Sequence, residues 1–154
     1  MKQTIIAVIC FLCVSSLYIQ AQKINHPSLL YTPQRIQQVK QRMQHEPKLQ
    51  EAWGDIKRTA DEALQKKDFN RLDYLSLAYL MTDNKEYADV IKEILLKAVE
   101  AESWGDVEMM ARIPAWRSQL GMAHKSFLSA VGYDAAYNVM SSSERKKIAE
   151  GLKR

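Results

Sequence analysis

The chain is poor in cysteine, and the two it has, Cys10 and Cys13, both lie within its first 21 residues. Those residues are typical of a secretory signal peptide, because Lys2 precedes an apolar run and small residues follow it up to Ala21. If cleavage follows Ala21, the mature chain has no cysteine. Disulfide bonds, thiolate metal sites and cysteine nucleophiles are thereby excluded from residues 22–154.

A long hydrophobic run is also missing, since the apolar stretch of the signal, Ile5–Val14, is too short to span a bilayer comfortably. Each cysteine follows a bulky residue, which argues against lipid attachment to it. Those residues are Ile9 and Leu12. We therefore expect export followed by release, with a periplasmic or secreted location and no stable membrane insertion after the signal is cleaved.

The chain has no strong excess of charge. Removal of the signal takes Lys2 from the 22 basic residues and none from the 18 acidic ones, which leaves a net charge of +3. The charges are scattered along the predicted helices, so the sequence does not indicate a nucleic-acid-binding protein. The small positive balance permits an acidic partner without requiring one.

Glycine and proline are scarce, at five and four residues, and no useful stretch alternates apolar and polar side chains. The chain therefore offers no low-complexity linker and no predicted strand. We predict a signal peptide over residues 1–21 and a single all-α domain over residues 22–154, long enough to have its own core.

Apolar periodicity and capping residues predict six helices. Thr32 as N-cap and Pro33 at the first position begin the first one, and Ser141 with Glu144 forms a capping box that begins the last. The predicted bounds are 33–46, 47–67, 71–82, 84–102, 118–140 and 142 to the end at Arg154. Residues 103–117 form the longest connection.

The predicted helices differ in how their apolar residues are distributed. Those over 71–82 and 118–140 are largely apolar, and a helix that is apolar all round is expected to be buried. Those over 84–102 and from 142 onward are apolar on one face only. This alternation favours two concentric layers of helical hairpins. A plain bundle, whose helices would all have one apolar stripe, stays the alternative.

Three segments of the chain resemble a family of enzymes. They are HPSLLYT at 26–32, LAYLMTDNKEYA at 77–88, and GYDAAY at 132–137, which is followed by SSSER at 141–145. In this order they are similar to the mature N-terminal part of the heparinase II/III-like and alginate-lyase-like polysaccharide lyases. The resemblance implies an incomplete (α/α) toroid, truncated at its C-terminus after three hairpins, and a function as the N-terminal fragment of an exported lyase.

Enzymes of this family cleave uronic-acid polysaccharides, such as heparan sulfate or alginate, by β-elimination. The resemblance implies that more hairpins and a β-sandwich domain follow, with the active site between the two domains. A Tyr or His there removes the proton next to the uronate carboxylate. Asn, His or Arg first neutralises that carboxylate, because the proton is weakly acidic until the charge is masked. The chain contains no catalytic motif of the family, so we predict no catalytic residue in it and no activity of the chain alone.

The connection over 103–117 is the candidate substrate-binding region, because long connections that enter inner helices usually form the cleft of a two-layer toroid. Free N–H groups at the start of an inner helix would favour an anion there. Aromatic rings stack on sugars, and arginines bind carboxylates in bidentate fashion. The candidate residues are Trp104, Arg112, Trp116 and Arg117. In the alternative interpretation, the tryptophans pack the loop onto the core and the arginines are solvated.

A carboxylate, Asp134, lies towards one edge of an apolar helix face. That face is marked by Leu120, Phe127 and Val131. Because a carboxylate on such a face needs a partner, we expect Asp134 to tie its helix to a neighbouring helix or loop, through a tyrosine hydroxyl or an arginine. His26, before Pro27, is expected to pack against or cap the edge of the toroid.

The histidines do not form a metal-binding pattern. They are His26, His45 and His124, with no pair at i, i+4 spacing. No Gly-x-Ser-x-Gly elbow indicates a serine hydrolase. We predict no metal and no cofactor. Two other functions stay open: a non-catalytic helical module that binds glycans or a protein, and, ranked last, a toroid glycoside hydrolase that would use Asp106 and Glu108.

Overall fold

The structure is a computed structural model that describes residues 25–101, 104–105, 107–114 and 119–153. Helices account for 76% of these residues, and no strand occurs among them, which confirms the all-α prediction. The α-helices are α1 (Pro33–Met43), α2 (Pro47–Lys66), α3 (Leu72–Thr82), α4 (Lys85–Ala98), α5 (Val107–Met110), α6 (Leu120–Ala136) and α7 (Ser142–Gly151). Single 3₁₀ turns, Phe69–Arg71 and Tyr137–Val139, precede α3 and follow α6. The predicted signal peptide, residues 1–21, lies outside the described residues.

Among the helices that the structure describes, none combines the length and the apolar character needed to cross a bilayer.

Capping residues set the starts of α1 and α7 as predicted. At α1 the Thr32 hydroxyl accepts a hydrogen bond from the Arg35 N–H at 3.3 Å, and Pro33 occupies the first position. At α7 the capping box is complete. The Glu144 N–H donates to the Ser141 hydroxyl at 3.2 Å, and the Ser141 N–H donates to the Glu144 carboxylate at 2.7 Å.

Several predicted helix ends were wrong, and α1 and α6 end at Met43 and Ala136 rather than at 46 and 140. The structure ends α4 at Ala98 rather than at 102, because the N–H of Glu100 bonds to Lys97 and tightens the chain into a turn. The last helix does not continue to Arg154. It ends at Gly151, and the Lys153 N–H bonds only three residues back, to Glu150. The connection predicted over 103–117 also contains α5, a single turn that periodicity did not indicate.

The core lies where α3, α4 and α6 meet, and each of the three contacts the other two. Its fully buried side chains include Leu72, Leu75, Ile91, Leu95 and Leu128. The helix α2 packs on α3, and α7 packs on α4. The approach of α7 depends on Gly151, since a Cβ there would lie 2.3 Å from the Cβ of Val99. The largely apolar helix α3 is thus enclosed by its neighbours, as its pattern predicts.

Only the second half of α6 is buried. Leu128 and Val131 lie in the interior, whereas Leu120 is 88% exposed and Phe127 is 51% exposed. The prediction that these two residues mark a buried face was therefore wrong. An apolar pattern defines a face of a helix but does not show how far along that face the neighbouring helices extend.

Candidate functional site

Trp104 packs against the core. Its ring lies edge-on to Phe69 with 6.5 Å between centroids, and its Nε1 donates to the Ala98 carbonyl at 3.1 Å. The Lys125 ammonium donates to the Trp104 carbonyl at 3.1 Å. These contacts are the ones that the packing alternative predicts for this tryptophan. Its contact with a sugar stays a prediction.

The structure describes two of the four candidate substrate-binding residues, Trp104 and Arg112. Arg112 is exposed in the turn after α5. Trp116 and Arg117 lie outside the described residues, and so does Asp106. Glu108, the other acid of the hydrolase alternative, is exposed on α5.

A groove of about 490 Å³ borders Trp104, where the end of α2 and the following 3₁₀ turn face α4. Its apolar floor consists of Phe69, Ile94 and Ala98, and its charged rim of Lys66, Lys67, Lys97 and Glu93. We call it the lysine groove. Its position beside Trp104 follows from shared contacts, because Trp104 packs on Phe69 and bonds to the Ala98 carbonyl.

The rim of the lysine groove is positive. Lys67 pairs with Glu93 at 2.7 Å, so the one carboxylate of the rim is already compensated. Lys66 lies 3.9 Å from Glu62, outside the groove. Lys97 makes no ion pair with any residue that the structure describes. The rim therefore has one ammonium group, that of Lys97, without an ion pair in the described part of the chain. A flexible point charge of this kind, beside an apolar floor, suits a carboxylate or a sulfate.

Asp134 joins α6 to the entry segment, which we define as residues 25–32. The residue is 3% exposed, and its carboxylate accepts hydrogen bonds from four donors. The Ser28 N–H donates to both oxygens, at 2.8 and 3.0 Å, and the Leu29 N–H donates to Oδ2 at 2.8 Å. The Ser28 hydroxyl lies 3.3 Å from Oδ1, and the His26 Nδ1 lies 2.5 Å from the same oxygen.

The entry segment also packs His26 against the end of α6. The imidazole ring stacks on Tyr137 with 3.8 Å between centroids, and the His26 carbonyl accepts from the Asn138 amide at 2.8 Å. The Arg145 guanidinium in turn lies 4.7 Å from the centroid of the Tyr137 ring. The entry segment, α6 and α7 are thereby held together at one corner.

The prediction that Asp134 ties its helix to a loop is confirmed, but the expected partners were wrong. Its partners are His26 and two backbone N–H groups instead of a tyrosine hydroxyl or an arginine. Burial by itself would raise the pKa of Asp134. Hydrogen bonds from Leu29, His26 and Ser28 favour the ionised form and hold this pKa below its ordinary value of 3.8. We conclude that Asp134 is a structural clamp, because its oxygens are already occupied by donors from the same chain.

No group of three or more potential metal-ligating side chains lies together among the described residues. Comparison of the chain with models of known protein families, with curated protein sequences and with solved structures finds no match.

Proposed function

We propose that the chain is the N-terminal helical part of an exported polysaccharide lyase and that its lysine groove binds acidic polysaccharide. The observation that carries the proposal is the groove itself, in which three lysines surround an apolar floor beside Trp104. Acidic polysaccharides combine carboxylate or sulfate groups with the apolar C–H faces of their sugar rings. A positive rim over an aromatic and aliphatic floor complements both features.

The size of the groove fits this role. Its volume of about 490 Å³ falls in the usual range for small-molecule sites. The groove is lined by neither tyrosine nor histidine, the two residue types that act as the base in the lyases the sequence resembles. We therefore assign binding, and not proton removal, to this surface.

The packing of the helices supports the toroid as part of the same proposal. Helix α3 contacts the buried second half of α6. The amphipathic helix α2 packs on α3, and α4 packs on both, as expected for inner and outer layers. The exposed Leu120 and Phe127 on α6 offer an apolar surface on which the next hairpin of a toroid would pack. A coding sequence that continues beyond Arg154 into more hairpins and a strand-rich domain would support the lyase.

The binding proposal is tested by calorimetric titration of the purified chain with heparan sulfate and alginate oligosaccharides. We expect Lys97→Glu to weaken binding roughly tenfold, because it puts an anion in place of the groove cation that has no ion pair with the described residues. Lys146→Glu on α7, an exposed position outside the groove, makes the same change in net charge and should weaken binding by about twofold or less. Equal losses in the two variants, or no binding to either polymer, would overturn the proposal.

The lyase assignment has its own readout, the absorbance of unsaturated uronate products. The chain alone is expected to bind without turnover, because the catalytic residues are proposed to lie beyond it. Robust turnover by these 154 residues would contradict that expectation. Binding by a chain whose gene stops after Arg154 would instead support the alternative of a non-catalytic glycan-binding module.

A further inference from the structure

A second cavity, of about 140 Å³, lies between the entry segment, α2 and α3. Its lining residues are Tyr31, Ile56, Asp73, Tyr74 and Leu77. We call it the Asp73 cavity. It shares no lining residue with the lysine groove, and its acid is the one charged side chain among these five. The lysine groove is therefore positively charged and the Asp73 cavity negatively charged.

The carboxylate of Asp73 is not fully paired. Its Oδ1 is buried and has no hydrogen-bond partner among the residues that the structure describes. A buried oxygen with a full or partial negative charge and no donor is unfavourable, so it gains strongly from any donor that reaches it. The neighbouring cation, Arg71, does not fill this need. Its guanidinium lies 5.3 Å from the centroid of the Tyr74 ring, and it makes no ion pair with Asp73 within the described part of the chain.

The surroundings of Asp73 add to its preference for a positive group. Burial, and after it the negative charge of Asp73 and the proximity of Tyr74, raise the pKa of Tyr31 to about 12. The Tyr31 phenol is therefore uncharged at any physiological pH. The cavity thus combines one carboxylate with the rings of Tyr31 and Tyr74 and two aliphatic side chains. Aromatic rings attract cations, so they add to the preference of the carboxylate for a positive group.

We propose that the Asp73 cavity binds the primary ammonium group of a small ligand, carried by an amino sugar or by an alkyl amine. An ammonium group donates three hydrogen bonds, and one of them would satisfy Asp73 Oδ1. A carboxylate or sulfate would be repelled by the same oxygen. A neutral sugar hydroxyl could donate to Asp73, but it would bring no positive charge to the carboxylate. This proposal does not depend on the one made for the lysine groove.

The test is a ligand-observed NMR titration of the purified full chain with glucosamine, N-acetylglucosamine, glucose and butylamine at neutral pH. We expect glucosamine and butylamine to bind, and N-acetylglucosamine and glucose to bind at least roughly tenfold more weakly, because they lack the charge. Binding of glucosamine alone would identify the amino sugar as the source, and binding of butylamine alone would identify the alkyl amine. Equal binding of glucose and glucosamine, or binding of none of the four, would overturn the proposal.

Two variants locate the binding. Asp73→Asn keeps the size of the side chain but removes its charge, and should weaken glucosamine or butylamine binding roughly tenfold. Asp89→Asn makes the same change at an exposed position of α4 and should change the affinity for glucosamine or butylamine by about twofold or less. Circular dichroism melting of both variants checks that they are folded. Unchanged binding in folded Asp73→Asn, or equal losses in both variants, would show that the ammonium group does not bind in the Asp73 cavity.

Discussion

Two carboxylates of this protein, the buried Asp134 and the half-buried Asp73, differ in how fully their oxygens are paired. Asp134 on α6 is 3% exposed and accepts hydrogen bonds from two backbone N–H groups, a hydroxyl and an imidazole, all from the entry segment. Asp73 in the first turn of α3 faces a cavity, and its buried Oδ1 has no donor among the described residues. The carboxylate of Asp134 is fully hydrogen-bonded within the chain. The carboxylate of Asp73 can still accept a hydrogen bond from a ligand.

This difference separates a structural acid from a candidate binding acid. A buried carboxylate is stable in the folded protein when donors of the same chain surround it. It then has no free oxygen lone pair with which to bind a ligand. A carboxylate that retains an unpaired oxygen beside a cavity contributes less to stability but can bind a partner. Both acids also contact or adjoin the entry segment, through Ser28 and Tyr31 respectively, so this short segment contributes to both sites.

The largest change in the free energy of unfolding is expected when Asp134 is removed. Asp134→Ala should lower the free energy of unfolding by about 3 kcal/mol, because the N–H groups of Ser28 and Leu29 lose their acceptor while α6 loses its tie to the entry segment. Urea unfolding followed by circular dichroism measures the change. Asp89→Ala, at an exposed position, serves as the control and should alter it by at most about 0.5 kcal/mol. A loss below about 1 kcal/mol for Asp134→Ala would show that the clamp does not stabilise the fold.

Sequence reasoning predicted the need for this clamp but not its partners. An acid on an apolar helix face must be paired, and that much follows from residue chemistry. The partners lie more than a hundred positions earlier in the chain, and two of them are backbone N–H groups, which every residue but proline possesses. No side-chain pattern can identify them. His26 was expected to pack at an edge, and its contact with Tyr137 shows what it packs against.

The starts of two helices could be predicted from residues close to them in the sequence. The starts of α1 and α7 depend on capping groups within three residues, Thr32 with Arg35 and Ser141 with Glu144, and were predicted correctly. Burial of α6 depends on how far neighbouring helices extend, which is a tertiary property, so the exposure of Leu120 was missed. The Asp73 cavity was also missed. Its only sequence signal was an acid at the start of an otherwise apolar helix.

The pH dependence of stability is a second, smaller way to test the clamp. The folded-state pKa of Asp134 is lowered from 3.8, so its contribution to stability is complete above the unfolded-state pKa and is lost as the pH falls through the folded-state pKa. We expect the stability difference between the wild type and Asp134→Asn to shrink below about pH 4. Urea midpoints measured between pH 6 and 2.5 provide the comparison.

Other carboxylates of the chain titrate in the same range but do not confuse this result. Those with lowered pKa values include Glu46, Asp61, Glu100 and Glu144. They are present in both proteins, so their effects cancel in the difference between the wild type and Asp134→Asn. A difference that does not change down to pH 2.5 would mean that the Asp134 carboxylate is not the group that holds the entry segment.

The smallest change in the free energy of unfolding is expected for Asp73→Asn. Asp73→Asn removes a negative charge from the first turn of α3, which loses a favourable interaction with the helix dipole. It also removes the charge from an oxygen that is buried without a donor among the described residues. Because these changes oppose each other, we expect the free energy of unfolding to change by at most about 0.5 kcal/mol in urea. A loss above about 2 kcal/mol would show that Asp73 is a structural acid like Asp134, whereas a gain would strengthen the contrast between them.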